Sequence, residues 1–408
     1  MQPKKNKKRK LRILYFFIFS FILGMFYTFL VYQGIWSTIR LSLSSIPFWA
    51  YPLWILFSFY LTLALHELGH FISFSLQGIK LRALYLTIFV FRKTEKGWNF
   101  IIKPKLWILF GGLVVPDLGE IKTDEDYEYV SKAFSKSLIT APIVTITVLF
   151  LSLLTTVFLI LYSSNHVLIG IFLLNTIFIT LLSTLYIYTF TLSNPMFYGD
   201  FVAYKKMKED DIFRLTQISQ YTMFSLIDSD ETTLFLWNKA KELIKKTDIN
   251  ASLFHTMLIS NYLEGIIHMK QPIDDEVDLK ISKLHIGHYL RSEQGLVLAY
   301  DLAYYHYIKK DVHKAYQIYN DIKTRQIKKV DPKMIEYMKR KTMHIMHIED
   351  QTEFLNNKEN LYIGMSWLFD SLFDPYETLS EQHEKLPFTP YLSEVNLEPI
   401  KETESDQN

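Results

Sequence analysis

The sequence predicts a mainly α-helical fold in two parts: a polytopic membrane helix bundle, then an all-helical, tetratricopeptide-like domain on the cytosolic side. Three observations predict it. Nearly all long apolar runs lie before residue 200. Polar residues at helical spacing take over from Lys205 onward. A basic cluster of Lys4, Lys5, Lys7, Lys8, Arg9, Lys10 and Arg12 precedes the first apolar run, the pattern of a cytosolic flank.

Four runs are long enough to cross about 30 Å of hydrocarbon as helices. They are Ile13 to Trp36, Phe48 to Leu76, Ser137 to Tyr162 and Val167 to Leu192. The first follows the basic segment 1–12, exceeds a usual signal-peptide core, and has no small-x-small cleavage pattern after it, so it reads as a retained anchor. With the N-terminus in the cytosol, the loop 77–136 and everything after Asp200 fall on the cytosolic side. Lys80, Arg82, Arg92, Lys93, Lys96, Lys103 and Lys105 in that loop agree.

The loop carries its own pattern. Leu84 to Phe91 and the stretch around Ile101 are rich in aromatic and β-branched residues, as strands are. Leu106 to Val115 is apolar but too short for a span, contains Gly111-Gly112 and stops at Pro116. It reads as a small re-entrant segment or β-hairpin, or as an amphipathic strand pair at the interface. Beyond Lys205, small residues and tyrosines recur from Leu296 to Lys323 around a break at Lys309-Lys310-Asp311. One such helix hairpin resembles a tetratricopeptide unit; a generic helical domain is the alternative. The segment 394–408 is acidic and polar, a composition that favours disorder.

Composition narrows the functional classes. A net charge of +2 argues against a general polyanion binder, so no nucleic-acid partner is expected. The absence of cysteine excludes disulfides, thiol catalysis and thiolate-bound metal.

The chemistry concentrates in the second span, at His66-Glu67-Leu68-Gly69-His70. Residues four apart share a helix face, so both imidazoles can reach one metal ion. Glu67 beside them can take a proton from water. A charged side chain at mid-bilayer costs roughly 2.5–3.5 kcal/mol, so three ionisable groups in five residues need a partner, and a Zn2+ ion supplies one. The bland alternative is a metal-free polar network between helices. Zinc usually takes a third protein ligand. Asp200 follows the fourth span directly, and Pro195 can end that helix and turn the aspartate inward. Asp117 and Glu120 are rivals; His166 is expected on the far side of the membrane.

These residues resemble the site-2 protease family of intramembrane zinc metalloproteases. Besides the His66–His70 motif, the spacing from Pro195 to Asp200 is the family's, although Tyr198-Gly199-Asp200-Phe201 stands where Leu-Asp-Gly is usual. Phe110-Gly111-Gly112-Leu113-Val114 is similar to the family's Gly-Gly hairpin, and Thr140-Ala141-Pro142 to its Ala-Gly-Pro. The resemblance covers roughly residues 47 to 201. It implies a membrane catalytic domain over 47–204; the helical domain over 205–393 is read from the polar helical pattern and lies beyond the resemblance. Glu67 would be the general base, and zinc would sit on His66, His70 and Asp200. Gly111 and Gly112 would hold an unwound substrate strand. Asn194 would steady the oxyanion, or simply cap a helix. The expected substrate is a membrane protein or signal-peptide remnant in the bilayer, with a cytosolic protein partner for the helical domain. A non-proteolytic scaffold is the competing expectation. So is a metal-binding transporter, although the first and third spans are nearly free of charge.

Overall fold

The computed structural model describes residues 21, 24–25, 27–29, 31–94, 96–109, 111–194, 197–226, 229–360 and 372. Half of the first apolar run lies outside the described residues, as do the basic segment 1–12, Pro195 and the acidic segment 394–408. The protein is mainly helical and divides into two compact units. One comprises residues Met1–Val115 and Lys132–Lys205, the other Pro116–Ser131 and Lys206–Asn408.

In the first unit, α1 (Ile35–Ser44) leads into α2 (Ala50–Leu76). Helix α3 (Asp124–Tyr162) enters it partway along its length, and α4 (His166–Phe190) follows. Helices α2, α3 and α4 are each long and apolar enough to cross a membrane. Their polarity is inverted relative to a water-soluble helix. On α2, Ser58, Thr62, His66, Glu67 and Ser73 are buried, while Leu53, Ile55, Phe57, Ile72 and Leu76 face outward. The outer surface of α3 is likewise apolar, with Ile143, Phe150, Leu154, Phe158 and Leu161 exposed. Such an arrangement suits lipid, where hydrogen bonds and close contacts, rather than water exclusion, hold helices together. Ser58 Oγ donates to Asn175 Oδ1 (2.7 Å), and the hydroxyls of Thr156 and Thr176 meet at 2.7 Å. Gly69 brings α2 against α3: a Cβ there would lie 2.7 Å from Ala141 Cα.

Helix α3 begins at Asp124, ahead of the expected Ser137, and carries Pro142 inside it. Its first turns are polar and acidic, which favours a helix N-terminus but hides it from a hydropathy reading. The loop after α2 is a four-stranded sheet, of order β3-β2-β1-β4, rather than a single hairpin. The strands are β1 (Lys80–Leu86), β2 (Phe89–Thr94), β3 (Gly97–Ile102) and β4 (Gly112–Asp117). β1, β2 and β3 pair antiparallel. The expected strand 84–91 is broken by a turn at Thr87, whose φ of 49° admits no extended backbone. The expected apolar run 106–115 is no re-entrant helix: a 3-10 turn (Pro104–Leu109) precedes β4. Rings of the sheet lie against α2, with Tyr60 5.4 Å from Phe89 and Phe71 6.3 Å from Trp98.

The second unit is built of short helices whose starts the sequence spells out. Asp210 caps α6 (Asp211–Thr222), Ser229 caps α7 (Asp230–Lys246), and Ser292 caps α11 (Glu293–Ile308). Each side chain accepts from a backbone N–H of the first turn, satisfying a donor the helix leaves free. After α11, Lys310 takes a left-handed φ of 64° and Asp311 caps α12 (Val312–Thr324). The expected hairpin thus breaks at Lys309-Lys310-Asp311. Leu296, Ala299, Tyr300 and Ala303 pack with Ala315, Ile318, Tyr319 and Ile322 in its core.

Candidate metal centre

The first unit gathers His66, His70 and Asp200. One ligand atom from each lies within 4.8 Å of the others. Among the described residues no other group of histidine and acidic side chains meets that test. His66 Nε2 is 3.4 Å and His70 Nε2 3.7 Å from Asp200 Oδ2. The two imidazoles, one turn apart on α2, stand 5.0 Å apart and perpendicular.

Second contacts fix which nitrogen each ring offers. His66 Nδ1 lies 3.0 Å from Thr145 Oγ1, and that hydroxyl donates its own proton to the Ala141 carbonyl (3.2 Å). The hydroxyl must therefore accept from Nδ1–H, which leaves the Nε2 lone pair free toward Asp200. His70 Nδ1 meets Ser137 Oγ in the same way at 3.0 Å. Ser137, Ala141 and Thr145 recur every four residues, so one face of α3 holds both rings. The ring of Phe190 stacks on His66 at 5.0 Å and 11°.

Asp200 opens α5 (Asp200–Glu209), and local structure brings it there. After α4, strands β5 (Ser193–Asn194) and β6 (Phe197–Tyr198) form a two-stranded hairpin. It closes at Gly199, whose N–H donates to the Leu192 carbonyl (2.9 Å). A Cβ on Gly199 would sit 2.0 Å from the Thr189 carbonyl oxygen, so only glycine permits this return.

Glu67 is 5% exposed and sits against β4. A Cβ on Gly112 would lie 2.4 Å from Glu67 Cγ and 2.6 Å from Cδ, so glycine there is what leaves room for the carboxylate. Gly111 accepts at its carbonyl from the Thr87 N–H (3.0 Å). Asn194 is exposed on β5. The rival ligands lie elsewhere. Asp117 accepts from the Leu226 N–H (3.3 Å), Glu120 pairs with Lys122 (2.9 Å), and His166 meets Ser42 (3.3 Å).

Two imidazole nitrogens and a carboxylate oxygen, steadied by second contacts, are a donor set that zinc accepts. The residues present therefore fit that ion. Sequence reasoning missed Thr145, Ser137 and Gly199. The first two were visible as a hydroxyl stripe at helical spacing; Gly199 was visible only as the inverted order of the Gly-Asp pair.

Comparison with known proteins gives one match. A model of Peptidase family M50 matches residues 54–329. The match runs past residue 201, where the motif resemblance ends, through α12 of the helical unit. No curated protein matches, and no solved structure does.

Proposed function

The chain belongs to peptidase family M50, the site-2 protease family, and from that premise we propose an intramembrane zinc endopeptidase. It hydrolyses peptide bonds within transmembrane segments or signal-peptide remnants. The observation that carries this reading is the convergence of His66, His70 and Asp200 beside Glu67, on helices apolar enough to lie in a bilayer.

His66, His70 and Asp200 would hold the ion, offering two imidazole nitrogens and a carboxylate oxygen. Zinc, when bound, acidifies water and polarises a carbonyl. Glu67, packed over Gly112, takes the proton from the attacking water and delivers it to the leaving amine. Thr145 and Ser137 keep the imidazoles in the tautomer that binding needs. A transmembrane helix hides its amides in internal hydrogen bonds, so the substrate must unwind first. Strand β4 lies at an edge of the sheet and begins at Gly112, which supports pairing with an unwound substrate strand there. Asn194 serves as an oxyanion donor.

The basic N-terminal segment and the loop lysines support an orientation with both termini and the helical unit in the cytosol. In that place the helical unit docks a cytosolic protein. A cleft of about 640 Å3 lined by Arg291, Lys314 and Leu302 supports that role. The test of the metal centre is zinc content by mass spectrometry on the purified full chain. Wild type should carry one zinc per chain, and His66→Ala and His70→Ala almost none. Asp200→Ala should bind at least tenfold more weakly. Full zinc occupancy and activity in Asp200→Ala would remove that residue from the ligand set.

A further inference from the structure

We propose that Tyr186 is a further catalytic residue, its phenol hydroxyl donating a hydrogen bond to the scissile carbonyl oxygen as that oxygen becomes negative. The inference rests on the peptidase reading of the same site.

Tyr186 lies on α4, one turn before Phe190, and its ring stacks on His66 at 6.0 Å and 29°. Phe190 continues the wall, 6.2 Å from Tyr186 at 22°. Tyr186 thus stands beside a proposed metal ligand.

Its hydroxyl is the unusual feature. The oxygen is buried and has no hydrogen-bond partner among the described residues. Leaving such a group unsatisfied costs about 1–3 kcal/mol. A phenylalanine would make the same ring contacts without that cost. Ser183 Oγ, one turn earlier on α4, is also buried and has no partner among the described residues. A buried polar atom without a partner, set beside a reacting centre, is a place where a ligand or a reacting group can complete the set.

The chemistry suits a donor rather than a base, because an ordinary phenol keeps its proton at neutral pH. The water oxygen bonds to the carbonyl carbon while Glu67 takes the water's proton. The carbonyl π pair moves onto oxygen, and Tyr186 hydrogen-bonds to that charge without transferring its proton. The pair then re-forms the C=O bond, the C–N bond breaks toward nitrogen, and the amine takes the proton from Glu67. Asn194, exposed on its hairpin, approaches as one donor; Tyr186, buried in the helix wall, supplies a second. A donor already fixed in a dry site needs no reorganisation when the charge appears.

The experiment uses the full chain in detergent, wild type and Tyr186→Phe. The substrate is a fluorogenic leucine-rich transmembrane peptide broken by Gly-Pro. A phosphinic peptide of the same sequence mimics the tetrahedral species. Zinc content of Tyr186→Phe should match wild type, its melting temperature should be equal or higher, and KM should stay within twofold. The kcat should fall by roughly 10²–10³, and affinity for the phosphinic peptide should fall by a like factor. A kcat within twofold of wild type, or a lowered kcat with unchanged phosphinic affinity, would overturn the role. Wild type that neither cleaves the peptide nor binds the phosphinic analogue would instead sink the peptidase reading, and Tyr186 with it.

Discussion

At the scale of single residues, the site depends on contacts one layer out from the ligands. Thr145 holds His66 through Nδ1 because its own proton is already given to Ala141. Thr145→Val removes that acceptor at nearly constant shape. Zinc affinity, measured by competition with a chelator, should fall about 10–100-fold. Gly112 makes the opposite kind of contact, through lack of a side chain. Gly112→Ala would press a methyl into the buried Glu67 side chain, which must shift to make room. Displacing a base by about 1 Å costs on the order of 10²-fold in rate. The variant should therefore keep its zinc and lose about that much kcat; loss of zinc instead would mean that the strain spreads to the histidines. The approach of His66 to His70 was legible in the sequence, because residues four apart on a helix share a face. Gly112 was legible only as part of a glycine pair, since nothing in its neighbours names Glu67 as the atom it must avoid.

Among the elements, the contact of α2 with α3 depends on Gly69 lying over Ala141. Gly69→Ala sets a methyl 2.7 Å from a backbone carbon, where no flexible tip can yield. Overpacking of this sort costs about 1–3 kcal/mol, so the melting temperature in detergent should drop and zinc should leave more readily. A different balance governs α11 in the helical unit. Burial, with help from Lys314 and Lys309 and against Asp311 and Asp278, pushes the His306 imidazole down to about 4. Between that value and its unfolded value near 6.5, the unfolded chain binds the extra proton. The stability His306 contributes is therefore present above pH 6.5 and lost as pH falls toward 4, up to about 3 kcal/mol in all. Protection factors over α11 and α12 in the full chain, which correct for the intrinsic pH dependence of amide exchange, should fall as pH drops across that window, and His306→Gln should flatten the dependence. Equal protection factors at pH 5 and pH 7 in wild type would contradict this. The elements were legible to unequal degrees. Apolar length marked α2 and α4 to within a few residues, because membrane helices need length above all. The polar start of α3 was missed because it lacks hydropathy, and β4 was one of several readings of the run 106–115, whose apolar composition a strand shares with a membrane segment.

The whole molecule joins an apolar unit that carries the proposed metal ligands to a helical unit with capped helices. The family match spans residues 54–329 and so extends over parts of both. That division was legible from the shift in composition near residue 200. The inclusion of residues 116–131 with the helical unit was not, because it depends on contacts between distant segments. Thr232 Oγ1, for example, accepts from the Ile121 N–H at 2.9 Å. The central claim is that this membrane protein cuts other membrane segments with Glu67 as its base. Its most direct test compares wild type and Glu67→Gln, expressed at equal levels in cells lacking the gene, by mass spectrometry of membrane peptides. The account predicts that full-length or anchor-retaining fragments accumulate only with Glu67→Gln, while both proteins bind zinc alike. Identical peptide profiles from two stable, zinc-loaded proteins would contradict it.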